Sequence, residues 1–314
     1  MQKITTPQRA LIQRLFFTLF AMLVAGLAWA GPEDDAVAAY NRKDYAATLK
    51  IVKPPALKGE AWAQSWLADA YRNGEGVMQD HTEAVKWYKL AAEQGRASAP
   101  YNLGLMYAKG QGVVQDYAEA LKWYRLAAQQ GNAKAQSSLG AMYGNGDGVV
   151  QDDAEAVKWY RLAAQQGDAL AQSNLGAMYG NGRGVVQDHA EAVKWYRLAA
   201  QQGNAIALFN LGFKYSSGQG VVQDYAEAVK WFRLSAQQGN ALAQSSLGVM
   251  YESGQGVVQN YVKAHSWFNL GAVNGNANAV INRDVVAKRM TPQQIGDAYK
   301  LAWECQARIF TGCD

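Results

Sequence analysis

VVQDYAEALKWYRLAAQQGN, residues 113–132, decides the fold, because close copies of it recur along the chain at an unvarying spacing of 36 residues. Trp87, Trp123, Trp159, Trp195, Trp231 and Trp267 mark the same position in six consecutive units, 61–96, 97–132, 133–168, 169–204, 205–240 and 241–276. A strict period in the 20–50 range signals a solenoid, in which each unit buries its apolar face only against its neighbours.

Each unit carries two helical patterns. In the first, Ala99, Leu103, Met106 and Tyr107 follow the i, i+4, i+7, i+8 spacing of one buried stripe. Gly104 would cost an isolated helix about 1 kcal/mol against Ala. Its recurrence as Gly140, Gly176, Gly212 and Gly248, with Ala68 the exception, predicts that the partner helix passes too close for a side chain. Gly110 and Gly112 end that helix, since glycine past a helix terminus readily turns left-handed. No strand precedes this Gly-x-Gly and no dinucleotide or Walker pattern surrounds it, so it reads as a turn. Asp116 and Glu119 then read as a capping box, the Asp accepting from first-turn amides and the Glu reaching back. The pair repeats as Asp80/Glu83, Asp152/Glu155, Asp188/Glu191 and Asp224/Glu227, a recurrence that suits helix caps and not a catalytic dyad. The second helix buries Ala120, Trp123, Tyr124 and Ala127; Gly131 closes it and Asn132 caps the next unit, as Asp168, Asn204 and Asn240 do later. An all-α array of antiparallel helix pairs follows.

The ends of the chain carry other signals. Lys3, Arg9 and Arg14 precede an apolar run from Leu15 to Leu27, and Ala28-Trp29-Ala30 supplies a cleavage site before Gly31. Residues 1–30 therefore read as a secretory signal peptide, since the run falls short of the ~20 residues a spanning helix needs. Those three charges are the only ones before Gly31, so the mature chain holds 27 basic against 26 acidic residues, a net of +1. That balance leaves no electrostatic footprint for nucleic acid. After cleavage no transmembrane segment is expected, and the mature chain reads as an exported, periplasmic or secreted monomer. Residues 31–60 read as a capping half-repeat, helical over 33–50, joined by a rigid connector at Pro54-Pro55. Unit six is atypical, with Asn260 and Lys263 in place of the capping pair and Gly271 within its second helix. In the cap at 277–314, Thr291 and Pro292 open a last helix through about Ile309, anchored by Ile295, Tyr299, Ala302 and Trp303. Cys305 and Cys313 either pair or remain free thiols; two cysteines alone cannot build the usual four-ligand zinc site.

The pattern Ala-x-Ala-Gln-x-x-Leu-Gly-x-Met-Tyr-x-x-Gly-x-Gly-Val-x-Gln-Asp, followed by Ala-x-x-Trp-Tyr-x-x-Ala-Ala-x-x-Gly, resembles the Sel-one-like repeat family, a relative of the tetratricopeptide repeats. The match covers 61–276 without a gap. The resemblance implies a right-handed superhelix of helix pairs that serves as an adaptor or binding scaffold, often in bacterial envelopes or host interaction. It implies no cofactor. Cysteine-rich relatives with β-lactamase activity suggest a β-lactam or peptidoglycan hydrolase as the alternative. This chain has no cysteine in its repeats and no Ser-x-x-Lys motif.

Units three and four differ at five positions, 134/170, 138/174, 147/183, 153/189 and 168/204, so discrimination must lie where units differ. In stacks of this kind the first helix lines the concave face. One inward row reads Trp62, Ser98, Lys134, Leu170, Ile206 and Leu242. A second contains Tyr101 and Phe209 among serines, and a third contains Leu105, Phe213 and Val249. These residues either form a groove for a protein or peptide partner or are buried between adjacent units. His81 and His189 read as solvent-facing helix-start residues, and no histidine pair has metal-ligand spacing.

Overall fold

The computed structural model describes residues 31–308, 310 and 313; the leader expected at 1–30 and the helix end expected at Ile309 lie outside the described residues. The described residues form sixteen helices and no strand. They divide into two compact units. One comprises the chain up to Ala99 with Gly110–Val114, the other Pro100–Lys109 with Gln115 onward.

The first unit holds α1 (Pro32–Asn41), α2 (Tyr45–Leu57), α3 (Ala61–Asn73) and α4 (His81–Glu93). Here the expectation of one helix over 33–50 followed by a proline connector is corrected. The chain breaks at Lys43, in the left-handed region at φ 61°, and Asp44 caps a new helix by accepting from the Ala47 amide at 2.9 Å. That helix runs through Pro54 and Pro55. Proline there forfeits amide bonds and clashes with the preceding turn. Val52 and Ala56, which straddle the pair, are nonetheless buried in one cluster with Ala63 and Leu67, and this burial holds the segment helical.

The second unit contains α5 (Ala99–Lys109, from Pro100 onward), α6 (Tyr117–Gln129), α7 (Ala133–Asn145), α8 (Asp153–Gln165), α9 (Ala169–Asn181), α10 (His189–Gln201), α11 (Ala205–Ser217), α12 (Tyr225–Ala236), α13 (Ala241–Ser253), α14 (Tyr261–Val273), α15 (Ala277–Ala287) and α16 (Pro292–Ala307). Consecutive helices pack in pairs, and each pair leans on the next. The tryptophans make the joints: Trp159 packs on a cluster that joins Ala120 and Tyr124 of the preceding repeat to Leu139 and Met142 of its own, as Trp195 and Trp231 do on theirs. The recurring mid-helix glycine faces an aromatic ring, not a backbone. A Cβ at Gly140 would stand 2.6 Å from Cδ1 of Tyr160, and one at Gly248 would stand 2.5 Å from Phe268. The cap glycine Gly146 is left-handed at φ 82°.

The capping box is only half made. Asp152 accepts from the Glu155 amide at 2.9 Å, but the Glu155 carboxylate turns forward to Lys158, 2.7 Å away. The reason lies upstream, where the Asp152 amide already donates to the Tyr143 carbonyl at 2.9 Å and offers the glutamate nothing to accept. Asn260 keeps the same role in unit six by accepting from the Lys263 amide at 3.0 Å. Gly271 lets α15 close in, since a Cβ there would meet that of Ala279 at 3.1 Å. In α16, Thr291 and Gln294 do form a full capping box with Pro292 at the start. Of the expected anchors Ala302 is buried and Ile295 half-buried, whereas Tyr299 and Trp303 are exposed, and Ala298 and Cys305 are buried in their place. Small residues face the core because α14 lies close beneath them, with Trp267 and Phe268 filling the space. The sulfurs of Cys305 and Cys313 are bonded, with Cα atoms 4.9 Å apart.

Candidate functional site

The first-helix face of the second unit separates the three inward rows by burial. Leu170 on α9, Ile206 on α11 and Leu242 on α13 occupy one register in consecutive repeats and are 53%, 54% and 54% exposed. Lys134, one repeat earlier on α7, is exposed beside them in the sequence of repeats. An isobutyl or sec-butyl group left half in water has forgone burial worth about 1 kcal/mol, and three in one line form a patch that invites a cover. Phe213 and Val249 in the third row are also exposed, while Leu105 is half-buried.

The middle row belongs to the core. Ser137, Ser173 and Ser245 are buried. Tyr101 and Phe209 are half-buried, each with its ring 5.8 Å from an aromatic of its own helix pair, Tyr124 and Phe232. Trp62 lies in the other unit, half-buried, its indole N–H donating to Glu60 at 2.8 Å.

Three surface cavities gather most of the second unit's candidate residues. Tyr101, Lys134 and Leu170 line one of about 350 Å³ with Ser137 and Asp168. Leu242 borders another of about 310 Å³ with Asn274 and Asn276. Phe213 borders a third of about 360 Å³, which also holds Asn210, Tyr196 and His189.

The third cavity contains a residue that the periodic reading passed over. Lys214 stands where the other repeats of this unit place Met106, Met142, Met178 and Met250, inside the buried stripe. It is 7% exposed. Its ammonium lies 2.8 Å from Gln219 Oε1 and 3.2 Å from His189 Nδ1, and burial pulls its pKa below the ordinary lysine value. His189 is therefore not a solvent-facing residue; it is half-buried against this lysine. The signal that could have found the site was a charge at a Met position. The same desolvation pushes the Tyr196 phenol up to about 12.

A second pairing was also missed. Asp153 and Arg183, two of the positions that distinguish repeats three and four, form a bidentate bridge across their junction at 2.6 and 3.1 Å. The fork of an arginine suits that geometry. Asp153 with Arg183, and His189 with Lys214, thus pair one repeat with the next, whereas variation at 134/170/206/242 leaves side chains in solvent.

Among the described residues no three His, Cys, Asp or Glu side chains gather where they could hold a metal ion, and no helix is long and apolar enough to cross a membrane. The profile of the Sel1 repeat matches residues 63–95, 97–132, 133–168, 169–204, 205–240 and 241–276. A solved Sel1 repeat protein from Oxalobacter formigenes is 34% identical with a TM-score of 0.70, over 76% of this chain and 96% of that one. A protective antigen of uropathogenic Escherichia coli strains is 28% identical with a TM-score of 0.48, over 89% and 85% of the two chains. An immunity protein from Pseudomonas aeruginosa is 24% identical with a TM-score of 0.43, over 66% and 82%. None of the curated proteins compared with this chain matches it. Six consecutive repeats and the extent of the Oxalobacter likeness place the chain in the Sel1 repeat family.

Proposed function

We propose that this protein is an exported, monomeric scaffold that binds a protein or peptide partner along the first-helix face of its second unit, without catalysis of its own. Sel1 repeat proteins are helical scaffolds, generally non-catalytic, that typically serve protein interaction. The observation that carries the reading here is the line of Leu170, Ile206 and Leu242, half exposed at one register in three successive repeats. Apolar anchors at regular spacing suit an extended or helical segment lying across the repeats. The basic, apolar, small-residue order of residues 1–30 supports export to the bacterial envelope or beyond.

The test is affinity capture from periplasmic and secreted extracts with wild type and with a Leu170→Ser, Ile206→Ser, Leu242→Ser variant. These side chains are half in water already, so the variant should keep its helicity and melt close to wild type. Partners held by wild type and lost by the variant support the reading; partners held equally by both refute it. N-terminal sequencing of the exported protein should begin at Gly31, and light scattering should give one chain per particle.

A further inference from the structure

We infer that the cavity headed by Lys214 is a carboxylate-binding subsite, which seats an acidic side chain or the C-terminal carboxylate of the peptide held on this face. The inference rests on the peptide-binding reading for its occupant but not for its chemistry.

The chemistry starts from an uncompensated charge. Lys214 is nine-tenths buried, yet among the described residues no carboxylate pairs with it, and none lines the cavity of about 360 Å³ that it heads. Burying an ammonium without a counter-charge is costly. An ammonium has three protons to donate. One goes to Gln219 Oε1 and one to His189 Nδ1, which must then be the unprotonated ring nitrogen. The third has no acceptor among the described residues. The burial that draws the lysine pKa down would be relieved by an anion in the cavity.

The remaining lining supplies neutral donors around that proton. The Asn181 and Asn210 amides and the Tyr196 hydroxyl border the same space. One positive charge with several neutral donors matches a monoanion; a phosphate dianion would bury one charge too many. Exposed Phe213 borders the cavity and lies two turns along α11 from Ile206, on the same first-helix face as the apolar line.

The experiment is an amide-shift titration by NMR of the full mature chain. N-acetyl-leucine serves as the α-carboxylate probe and N-acetyl-glutamic acid α-amide as the side-chain probe, with the methyl ester of each as control. Saturable shifts at the amides around Gly180, Lys214 and Gln219 are expected from the acids and not from the esters, and the tighter acid identifies the source of the carboxylate. Lys214→Met restores the residue of the neighbouring repeats and should fold at least as well. It should weaken binding about tenfold or more, the usual loss of a charge-assisted hydrogen bond. Asn210→Ala should weaken binding by a smaller factor. Equal shifts from acids and esters, unchanged affinity in Lys214→Met, or tighter binding of inorganic phosphate would each overturn the assignment. Because the probes need no partner, acid binding alongside failed partner capture would sink the peptide-groove reading and leave the subsite standing.

Discussion

The five mid-helix glycines make a sharp prediction, because α7 contains both the test and its control. At Gly140 an alanine methyl would lie 2.6, 2.7 and 2.8 Å from three ring atoms of Tyr160. Ordinary carbon contacts sit at about 3.5–4.0 Å, so the methyl arrives about 1 Å too close. The ring cannot swing clear, since Tyr160 is 6% exposed and packed among Ala156, Ala163 and Leu175. Overpacking of this kind costs about 1–3 kcal/mol, while the gain in helix propensity from Gly to Ala returns about 1 kcal/mol. Four residues on, a methyl at Gly144 would meet Ala156 Cβ at 3.7 Å, an ordinary contact. Gly144→Ala therefore keeps the propensity gain without the clash.

The two variants share a helix and a cooperative unit, so the gap between them isolates the clash at about 1–3 kcal/mol. Urea unfolding followed by circular dichroism measures it as a difference in midpoint at constant slope. Gly140→Ala should fall below Gly144→Ala, and adding Tyr160→Leu to Gly140→Ala should remove most of the gap in a double-mutant cycle. Equal midpoints for the two alanine variants would refute the account of why these glycines recur. In the first unit the natural Ala68 accompanies a ring held differently, for the Tyr88 hydroxyl donates to Asp69 at 2.5 Å. The equivalent residue in the third repeat is Ala141, which has no acceptor to offer.

Other outcomes follow from the same geometry. Asp152→Ala should cost about 1 kcal/mol through loss of its cap, while Glu155→Ala, which loses only an exposed pair with Lys158, should cost under about 0.5 kcal/mol in the same urea assay. His265 is buried against Tyr299 with its pKa drawn down, first by burial and then by Arg283, with Asp284 opposing. A folded pKa below the unfolded 6.5 means that the unfolded chain binds the proton more readily. This contribution to stability is therefore complete above pH 6.5 and drains as pH falls through the lower folded value. Melting temperatures between pH 7.5 and 5.5 should drop in wild type and drop less in His265→Phe; identical slopes would refute this. Reduction should release the tail closed across the 8-residue separation of Cys305 and Cys313, costing about 2.5 kcal/mol on the chain-entropy account. A melt unchanged by dithiothreitol would count against it.

What could be read from the sequence is what is decided locally and then repeated. Asn132, Asp152 and Gly146 act within one turn of themselves, and so their roles as cap, cap and left-handed stop were legible residue by residue. The role of Glu155 was hidden because the acceptor that takes the Asp152 amide, the Tyr143 carbonyl, lies nine residues upstream of Asp152. Pro54 and Pro55 were misread for the converse reason: propensity forbids what the burial of Val52 and Ala56 enforces. Distance in the chain also hid the junction pairs, because Asp153 and Arg183 are separated by 30 residues and meet only once the stacking register is known. That register changes what repeat-to-repeat variation means. A position that varies together with its neighbour across a junction fixes the order of repeats, and its substitution should be rescued by the reciprocal change at the partner. A position that varies with its side chain in water, as at Leu170, Ile206 and Leu242, has no internal partner to answer to. Lys214 meets His189 across a junction but is not explained by that contact alone, for it varies inside the core, where a charge is costliest, and faces an open cavity. A packed stripe tolerates such a residue at the expense of the stability methionine would supply there, and that expense is intelligible if what fills the cavity arrives from outside the chain.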